Sequence, residues 1–190
     1  MDIYRCYELW QIVGESAKCS TGALIEIGVW KGGTGALIAY KAFLDKIPQH
    51  VYLCDTFTGV VKASKEDSRY KGGEYADSSE AIVKLLMDNF KLENVKILTG
   101  VFPEETSHIV KNETFRFCHI DVDVFNSARD IMLWIWDRLE VGGIIVFDDY
   151  GFGQCDGITK YVDSISSAED RIFIYNINGH AILIKIKNKC

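Results

Sequence analysis

Hydrophobic residues follow two different periods along this chain. In residues 1–18, apolar side chains recur every three or four positions, at Ile3, Tyr7, Trp10 and Val13, which predicts an amphipathic N-terminal helix. Short, nearly continuous apolar runs follow, and such runs are typical of strands that are covered on both faces. These runs occupy residues 23–29, 50–56, 94–100, 115–122 and 142–149.

Segments with helical spacing separate these runs, so strands and helices alternate along the chain. The helices are predicted at residues 34–47, 78–92, 127–140 and 157–167. This order predicts an α/β fold in which a mostly parallel sheet carries helices on both faces. Two final runs, 171–177 and 180–187, flank Asn178-Gly179 and predict a hairpin that puts one antiparallel strand into a seven-stranded sheet.

The long polar segment 57–77 has no clear helix or strand pattern. A segment of this length without regular structure in a compact domain is usually a lid, a binding loop or disordered. No internal repeat or linker divides the chain, so we expect residues 1–190 to form one domain.

Composition narrows the class of partner. The formal net charge of −6 argues against a nucleic-acid partner, because binding phosphates requires clustered Lys and Arg. The late lysines 185, 187 and 189 alternate along a strand pattern and are expected to form a solvated strand face.

No apolar stretch reaches the roughly 18 residues of a membrane span. The six cysteines are scattered, and the N-terminus does not resemble a secretory signal, so we expect a reducing, cytoplasmic location.

Ligands in parallel sheets bind beyond the carboxyl ends of the strands, so the residues that follow each strand are candidate site residues. The first strand ends in "EIGVWKGGTG", residues 26–35, whose glycines allow either a tight turn or a close approach of the backbone to a ligand. Its spacing is not that of a dinucleotide motif. The second strand ends in Asp55, which is suited either to accepting two ribose hydroxyls or to capping a helix.

Paired carboxylates follow the fourth and fifth strands. Asp121 and Asp123 end the fourth, and Asp148 and Asp149 end the fifth. Two such charges about 4 Å apart repel by about 4 kcal/mol at an effective dielectric of 20, so neighbouring strands would force protonation or attract a cation. Oxygen ligands select a hard ion such as Mg²⁺, Ca²⁺ or Mn²⁺. Helix N-caps are the competing interpretation. The four histidines stand alone in the sequence and indicate no nucleophilic triad.

Four stretches, in this order, resemble the S-adenosylmethionine (SAM)-dependent methyltransferases, and within them the macrocin O-methyltransferase family. They are "IEIGVWKGGTGALIA", "LCDTFTGV", "HIDVDVFNSARDIMLWIWDRLEVGGIIVFDDYG" and "GITKYVD". The resemblance runs from about residue 20 to the C-terminus and implies a Rossmann-like, doubly wound sheet. The N-terminal extension that helps cover the active site in longer members is expected to be largely missing.

The resemblance also implies roles for individual residues. It implies a pocket for the methionine end of SAM formed by Glu26, Gly28, Trp30, Gly32, Gly33 and Thr34. Asp55 would take the ribose hydroxyls, with Thr56 and Phe57 near the adenosine. The divalent-cation ligands would be Asp121, Asp148 and Asp149. Asp123 would be the general base, Asp121 would also border the cofactor and contribute to catalysis, and 57–77 would be a mobile lid.

The expected reaction is methyl transfer from SAM to a hydroxyl of a sugar or of a sugar-bearing or aromatic small molecule, assisted by Mg²⁺ or another hard divalent cation. Two other classes stay open: a glycosyltransferase that uses "DVD" as a D-x-D motif, and a non-catalytic nucleotide-binding protein. A homodimer is also expected, since the N-terminal helix is rich in aromatic residues.

Overall fold

The computed structural model describes residues 1–188 as α-helices packed on both faces of one seven-stranded sheet. The strands are β1 (Ala23–Ile27), β2 (Val51–Asp55), β3 (Val95–Thr99), β4 (Phe115–Ile120), β5 (Leu139–Phe147), β6 (Arg171–Tyr175) and β7 (Ala181–Lys185). The helices are α1 (Ile3–Cys19), α2 (Gly33–Leu44), α3 (Glu80–Asn89), α4 (Phe125–Trp136) and α5 (Asp156–Ile165). Residues 107–110 add one 3₁₀ turn.

The strand order is β3-β2-β1-β4-β5-β7-β6. The first five strands are parallel, and β7 runs antiparallel to both β5 and β6. This confirms the predicted mostly parallel sheet with one antiparallel strand. The order reverses between β1 and β4, so the connections that leave their carboxyl ends run in opposite directions and leave a crevice that can receive a ligand.

Alternating side chains of each strand enter two apolar layers. On one face, Leu24 and Phe117 pack with Leu9 and Val13 of α1 and with residues of α2 and α3. On the other face, Ile25 and its neighbours pack against α4 and α5. Because the central strands are buried on both faces, apolar residues follow one another along them without alternating with polar ones.

The boundary between α4 and β5 differs from the prediction. The helix was expected to run to residue 140, but it ends at Trp136, and Leu139 already pairs with Phe115 of β4. An apolar residue at position 139 satisfies the helical period as well as a strand. The pairing with Phe115 decides between them, because only the tertiary structure brings that partner close.

The expected solvated face of lysines 185, 187 and 189 is wrong at its first member. The Lys185 side chain is buried, and its Nζ donates hydrogen bonds to the carbonyl oxygens of Trp136 (2.9 Å) and Leu139 (2.8 Å). The end of α4 leaves the carbonyl of Trp136 without a helical partner, and the Lys185 ammonium satisfies it together with the carbonyl of Leu139, the first residue of β5. Lys187 is exposed as expected, while residue 189 lies outside the described residues.

No helix within residues 1–188 is long and apolar enough to cross a membrane.

Candidate active site

One cavity opens at the carboxyl ends of β1, β2 and β4, and it contains about 1010 Å³ of empty space, part of it open to solvent. Ligand pockets are concave and combine apolar walls with a few converging polar groups, and this cavity has both. Residues that the sequence singled out line it: Gly28, Trp30, Asp55, Thr56, Asp121, Asp123, Asp148 and Asp149.

The turn after β1 is held tightly against the neighbouring strands. Gly28 has φ +90°, and a Cβ there would lie 1.7 Å from the backbone oxygen of Asp121. The Asp55 carboxylate accepts the amides of Val29 and Trp30 at 2.7 Å each, and the amide of Phe57 at 2.7 Å. A carboxylate has about four acceptor positions, so Asp55 keeps capacity for a hydroxyl donor from a ligand.

Other residues assigned to the cofactor lie outside the cavity wall. These are Glu26, Gly32, Gly33, Thr34 and Phe57, of which Glu26 is fully buried. Oε1 of Glu26 shares a 2.8 Å hydrogen bond with Nδ1 of His119, while Oε2 has no protein partner. That oxygen lies 2.8 Å from the point where a Cβ on Gly35 would stand, at the start of α2. Glu26 therefore lies beneath the Gly-rich turn, and its contact with a cofactor stays a prediction.

The acids that follow β4 and β5 do meet, as predicted. Carboxylate oxygens of Asp121, Asp148 and Asp149 lie within 4.8 Å of one another. Burial, and after it the negative charges of Asp148 and Asp123, raise the pKa of Asp121 well above the ordinary aspartate range. Burial also acts on Asp148, but the adjacent His180 ring and the positive charge of Arg5 hold its pKa well below that range.

Arg5 of α1 is a site residue that sequence reasoning missed. Its Nη1 lies 2.6 Å from Oδ1 of Asp148 and 2.7 Å from Oδ1 of Asp149. Burial disfavours the charged guanidinium, but these two carboxylates outweigh it and raise the pKa of Arg5. The sequence carries only a weak signal for this contact, namely that Arg5 shares one side of the helix with Leu9, which is buried.

Two histidines that stand alone in the sequence lie close to Asp148 in the structure. The ligand atoms of His119, Asp148 and His180 fall within 4.8 Å of one another. Nε2 of His180 lies 3.3 Å from Oδ1 of Asp148, and Nδ1 of the same ring is 2.5 Å from Oε2 of Glu8 on α1. Strand register explains the meeting, since Asp148 continues β5 beyond the pair formed by Phe147 and Ala181, and His180 precedes Ala181.

Asp123, the predicted general base, lies on the cavity wall in a left-handed backbone conformation, with φ +63°. The hydroxyl of Tyr70 donates to its Oδ1 at 2.8 Å, and Sγ of Cys155 lies 3.6 Å from the same oxygen. Burial raises the pKa of Asp123 to about 6, although the bond from Tyr70 opposes the shift. Tyr70 was not singled out from the sequence; it reaches Asp123 because segment 57–77 crosses the site.

Segment 57–77 has no helix or strand, as expected, but hydrogen bonds attach it to the first turn of α4. The buried carboxylate of Asp67 accepts the amides of Ser64 (2.8 Å) and Phe125 (2.9 Å), the latter in the first turn of α4. The hydroxyl of Ser127 donates to the carbonyl of Val61 at 2.9 Å. The segment thus covers the acidic side of the cavity, and its opening as a lid stays a prediction.

The family model described as Macrocin-O-methyltransferase (TylF) matches residues 9–173 of this chain. The chain is 26% identical over 187 residues to the demethyldecarbamoylnovobiocin O-methyltransferase of Streptomyces niveus, covering 91% of this chain and 68% of that protein. It is 24% identical over 152 residues to the 8-demethyl-8-(2,3-dimethoxy-alpha-L-rhamnosyl)-tetracenomycin-C 4'-O-methyltransferase of Streptomyces olivaceus. That match covers 74% of this chain and 58% of that protein.

Solved structures agree on the fold. The O-methyltransferase NovP superposes with a TM-score of 0.83 at 22% identity, over 97% of this chain and 81% of that chain. The calicheamicin methyltransferase CalS11 superposes with a TM-score of 0.80 at 16% identity, over 96% of this chain and 80% of that chain.

Sequence match and fold agree with each other, and they favour a methyltransferase over the glycosyltransferase that a D-x-D motif would indicate. The chain belongs to the macrocin O-methyltransferase family and is a SAM-dependent O-methyltransferase.

Proposed function

We propose that this enzyme transfers the methyl group of SAM to a hydroxyl of a sugar, or of a sugar-bearing or aromatic small molecule, with the assistance of a hard divalent cation. The observation that carries the proposal is one cavity that borders both the Gly28 turn with Asp55 and the acids Asp121, Asp123 and Asp148. Cofactor and acceptor would then lie side by side between these two walls.

The cofactor end would use the residues near the β1 turn. Gly28 lets the backbone approach the methionine portion, and Asp55 has acceptor capacity for the ribose hydroxyls. Glu26 is the buried acid nearest the start of α2, and its unpartnered Oε2 is suited to a cationic amino group. A buried carboxylate oxygen without a partner costs free energy, and a hydrogen-bond donor of the ligand would recover part of that cost here.

The acid cluster has the donor set of a hard divalent cation. Three carboxylates converge within 4.8 Å, and burial together with the neighbouring acids raises the pKa of Asp121 even with Arg5 in place. Asp121, Asp148 and Asp149 would hold the ion. Once bound, such an ion lowers the pKa of a coordinated hydroxyl and orients it.

The protein's own contribution is alignment and removal of one proton. The acceptor oxygen attacks the methyl carbon as the bond between carbon and sulfur breaks, and the hydroxyl proton passes to Oδ of Asp123. A pKa of about 6 keeps Asp123 ionised at neutral pH while leaving it a stronger base than an ordinary aspartate. Tyr70 positions the carboxylate by donating to one of its oxygens.

The acceptor class rests on the relatives. By their names, the curated relatives methylate demethyldecarbamoylnovobiocin and a rhamnosyl-tetracenomycin, and a solved neighbour is a TDP-rhamnose 3'-O-methyltransferase. In this chain the cavity adds aromatic walls, with Trp30 and Tyr75 in edge contact at 5.7 Å between ring centroids. Apolar walls with a few converging polar groups suit a glycosylated or aromatic ligand.

Isothermal titration calorimetry with SAM, followed by methyl-transfer assays on hydroxylated sugars and glycosides, tests the proposal. We expect SAM to bind with or without EDTA, and methyl transfer to require both Mg²⁺ and Asp123. Asp123→Asn should retain SAM binding and lose about 10²–10⁴-fold in kcat. The exposed Asp137→Asn, at the far end of α4, is the matched control and should match wild type. Binding of UDP-glucose but not of SAM would contradict the proposal.

A further inference from the structure

Helix α1 sends two charged side chains into the acidic edge of the sheet. Arg5 and Glu8 are one helical turn apart and lie on the same side of the helix. Glu8 contacts His180 and accepts a 2.6 Å hydrogen bond from the side chain of Asn176. Farther along this side, Leu9 and Val13 are fully buried. The position of Arg5 is therefore imposed by the packing of the whole helix.

The Arg5 guanidinium is ordered by contacts on several sides. Beside its bonds to Asp148 and Asp149, its Nε donates to the carboxylate of Asp2 at 2.9 Å, and its Cζ lies 5.3 Å from the centre of the Phe152 ring. Asp2 is also the N-cap of α1. The charge in this position thus belongs to a built network, and a planar guanidinium can join two carboxylates in a way that a lysine cannot.

This network occupies coordination space that a divalent cation would use. Hard cations take carboxylate oxygens at about 2.0–2.6 Å. Nη1 of Arg5 already lies within hydrogen-bond distance of one oxygen of Asp148 and one of Asp149. An ion held by these two oxygens would lie against a group of like charge. Coordination through Oδ1 of Asp148 and Oδ1 of Asp149 therefore competes with the ion pairs of Arg5.

We propose that Arg5 is the built-in counter-cation of the acidic site, and that a divalent cation binds Asp121, Asp148 and Asp149 only when the guanidinium withdraws. Binding of the cation then opposes the packing of the first turn of α1 against these acids. The exposed carboxylate of Asp2 can keep the withdrawn guanidinium paired, since its side chain is 49% exposed. The inference rests on the proposed function only in taking this acid cluster as the cation site.

Cation affinity, measured without any methyl transfer, tests this. Mn²⁺ binding to the full chain would be followed by electron paramagnetic resonance for wild type, Arg5→Gln and Arg5→Lys. We expect Arg5→Gln to bind Mn²⁺ about tenfold or more tighter than wild type, because the competing charge is gone. Arg5→Lys keeps that charge and should stay closer to wild type.

Matched variants separate this effect from general charge and from folding. Lys18→Gln removes one positive charge at an exposed position of the same helix and should leave Mn²⁺ affinity unchanged. Asp148→Asn should abolish binding in both the wild-type and the Arg5→Gln backgrounds. A second measurement is the ¹⁵N resonance of Arg5 Nε in wild type, which should shift on saturation with diamagnetic Mg²⁺.

Equal Mn²⁺ affinity of wild type and Arg5→Gln would overturn the inference, as would absence of binding to a folded Arg5→Gln protein. An Nε resonance that stays unchanged at saturating Mg²⁺ would overturn it as well. None of these results touches SAM binding, which calorimetry reports separately. Failure of this inference is thus distinguishable from failure of the proposed methyl transfer.

Discussion

At the scale of single residues, aspartates within one cluster acquire different properties from their neighbours. Burial and adjacent acids raise the pKa of Asp121, while His180 and Arg5 hold that of Asp148 low. Asp123 lies between these extremes at about 6. The sequence shows the same residue type at each position, so the differences in pKa among these aspartates come from their contacts.

The raised pKa of Asp123 predicts a pH dependence. Below about pH 6 the carboxyl is protonated and cannot accept a proton, so kcat/KM should fall with falling pH. A bound cation would move this fall to lower pH. Initial rates measured between pH 5 and 8 with saturating SAM check the expectation, and a flat profile across that range would contradict it.

The same shift has a stability counterpart. Because the folded-state pKa is raised, Asp123 favours the folded state while protonated, and that contribution is lost as pH rises through about 6. Asp123→Asn, which stays neutral, should therefore melt at a higher temperature than wild type at pH 8, with an advantage that shrinks below about pH 6.

At the scale of elements, close approaches between strand ends shape the site. The turn after β1 passes so near β4 that only glycine fits at position 28. Glycine 33, one turn later at the start of α2, has no atom within 4 Å of its potential Cβ. These two glycines belong to the same turn region in the sequence, but in the structure they differ in backbone φ as well as in their surroundings.

Gly28→Ala and Gly33→Ala form a matched pair. Gly28→Ala should cost about 3 kcal/mol or more of unfolding free energy, because the Cβ clashes with the Asp121 carbonyl at positive φ. Gly33→Ala should change stability by less than about 1 kcal/mol, since alanine suits a helix. Urea unfolding followed by circular dichroism measures both. Similar losses in both variants would refute the packing argument.

Lys185 joins β7 to the end of α4. Lys185→Met should lower the unfolding free energy by about 1–3 kcal/mol, because it leaves the carbonyls of Trp136 and Leu139 without this donor. The exposed Lys187→Met should change it by less than about 0.5 kcal/mol. Thermal denaturation compares them. A solvated face, as the sequence suggested, would make the two variants equivalent.

At the scale of the whole molecule, ligand binding should be visible as added stability, because SAM binds a cavity that exists only in the folded chain. At a SAM concentration 100 times its Kd the gain is about 2.7 kcal/mol. For a chain of this length, each kcal/mol shifts Tm by about 2–4 °C, so the expected rise is roughly 5–11 °C. UDP-glucose at equal concentration is the control and should leave Tm unchanged. The homodimer and the cytoplasmic location stay predictions.

The sequence by itself determined the α/β class, the strand-end position of the acids and the final hairpin. These features depend on local periodicity and on turn residues, which act over a few positions. The family resemblance was also readable, because its motifs are contiguous stretches. What local pattern left undecided was the boundary between α4 and β5, since Leu139 fits both periods.

Only the tertiary structure decided which side chains complete the site. Arg5 meets Asp148 across 143 positions of sequence, and His180, Tyr70 and Lys185 likewise find partners on distant elements. Strand order and helix packing create these contacts, and neither is encoded in the spacing of neighbouring residues. A charge that looks solvated along the chain can therefore be buried, because its cost is offset by partners that only the folded chain brings close.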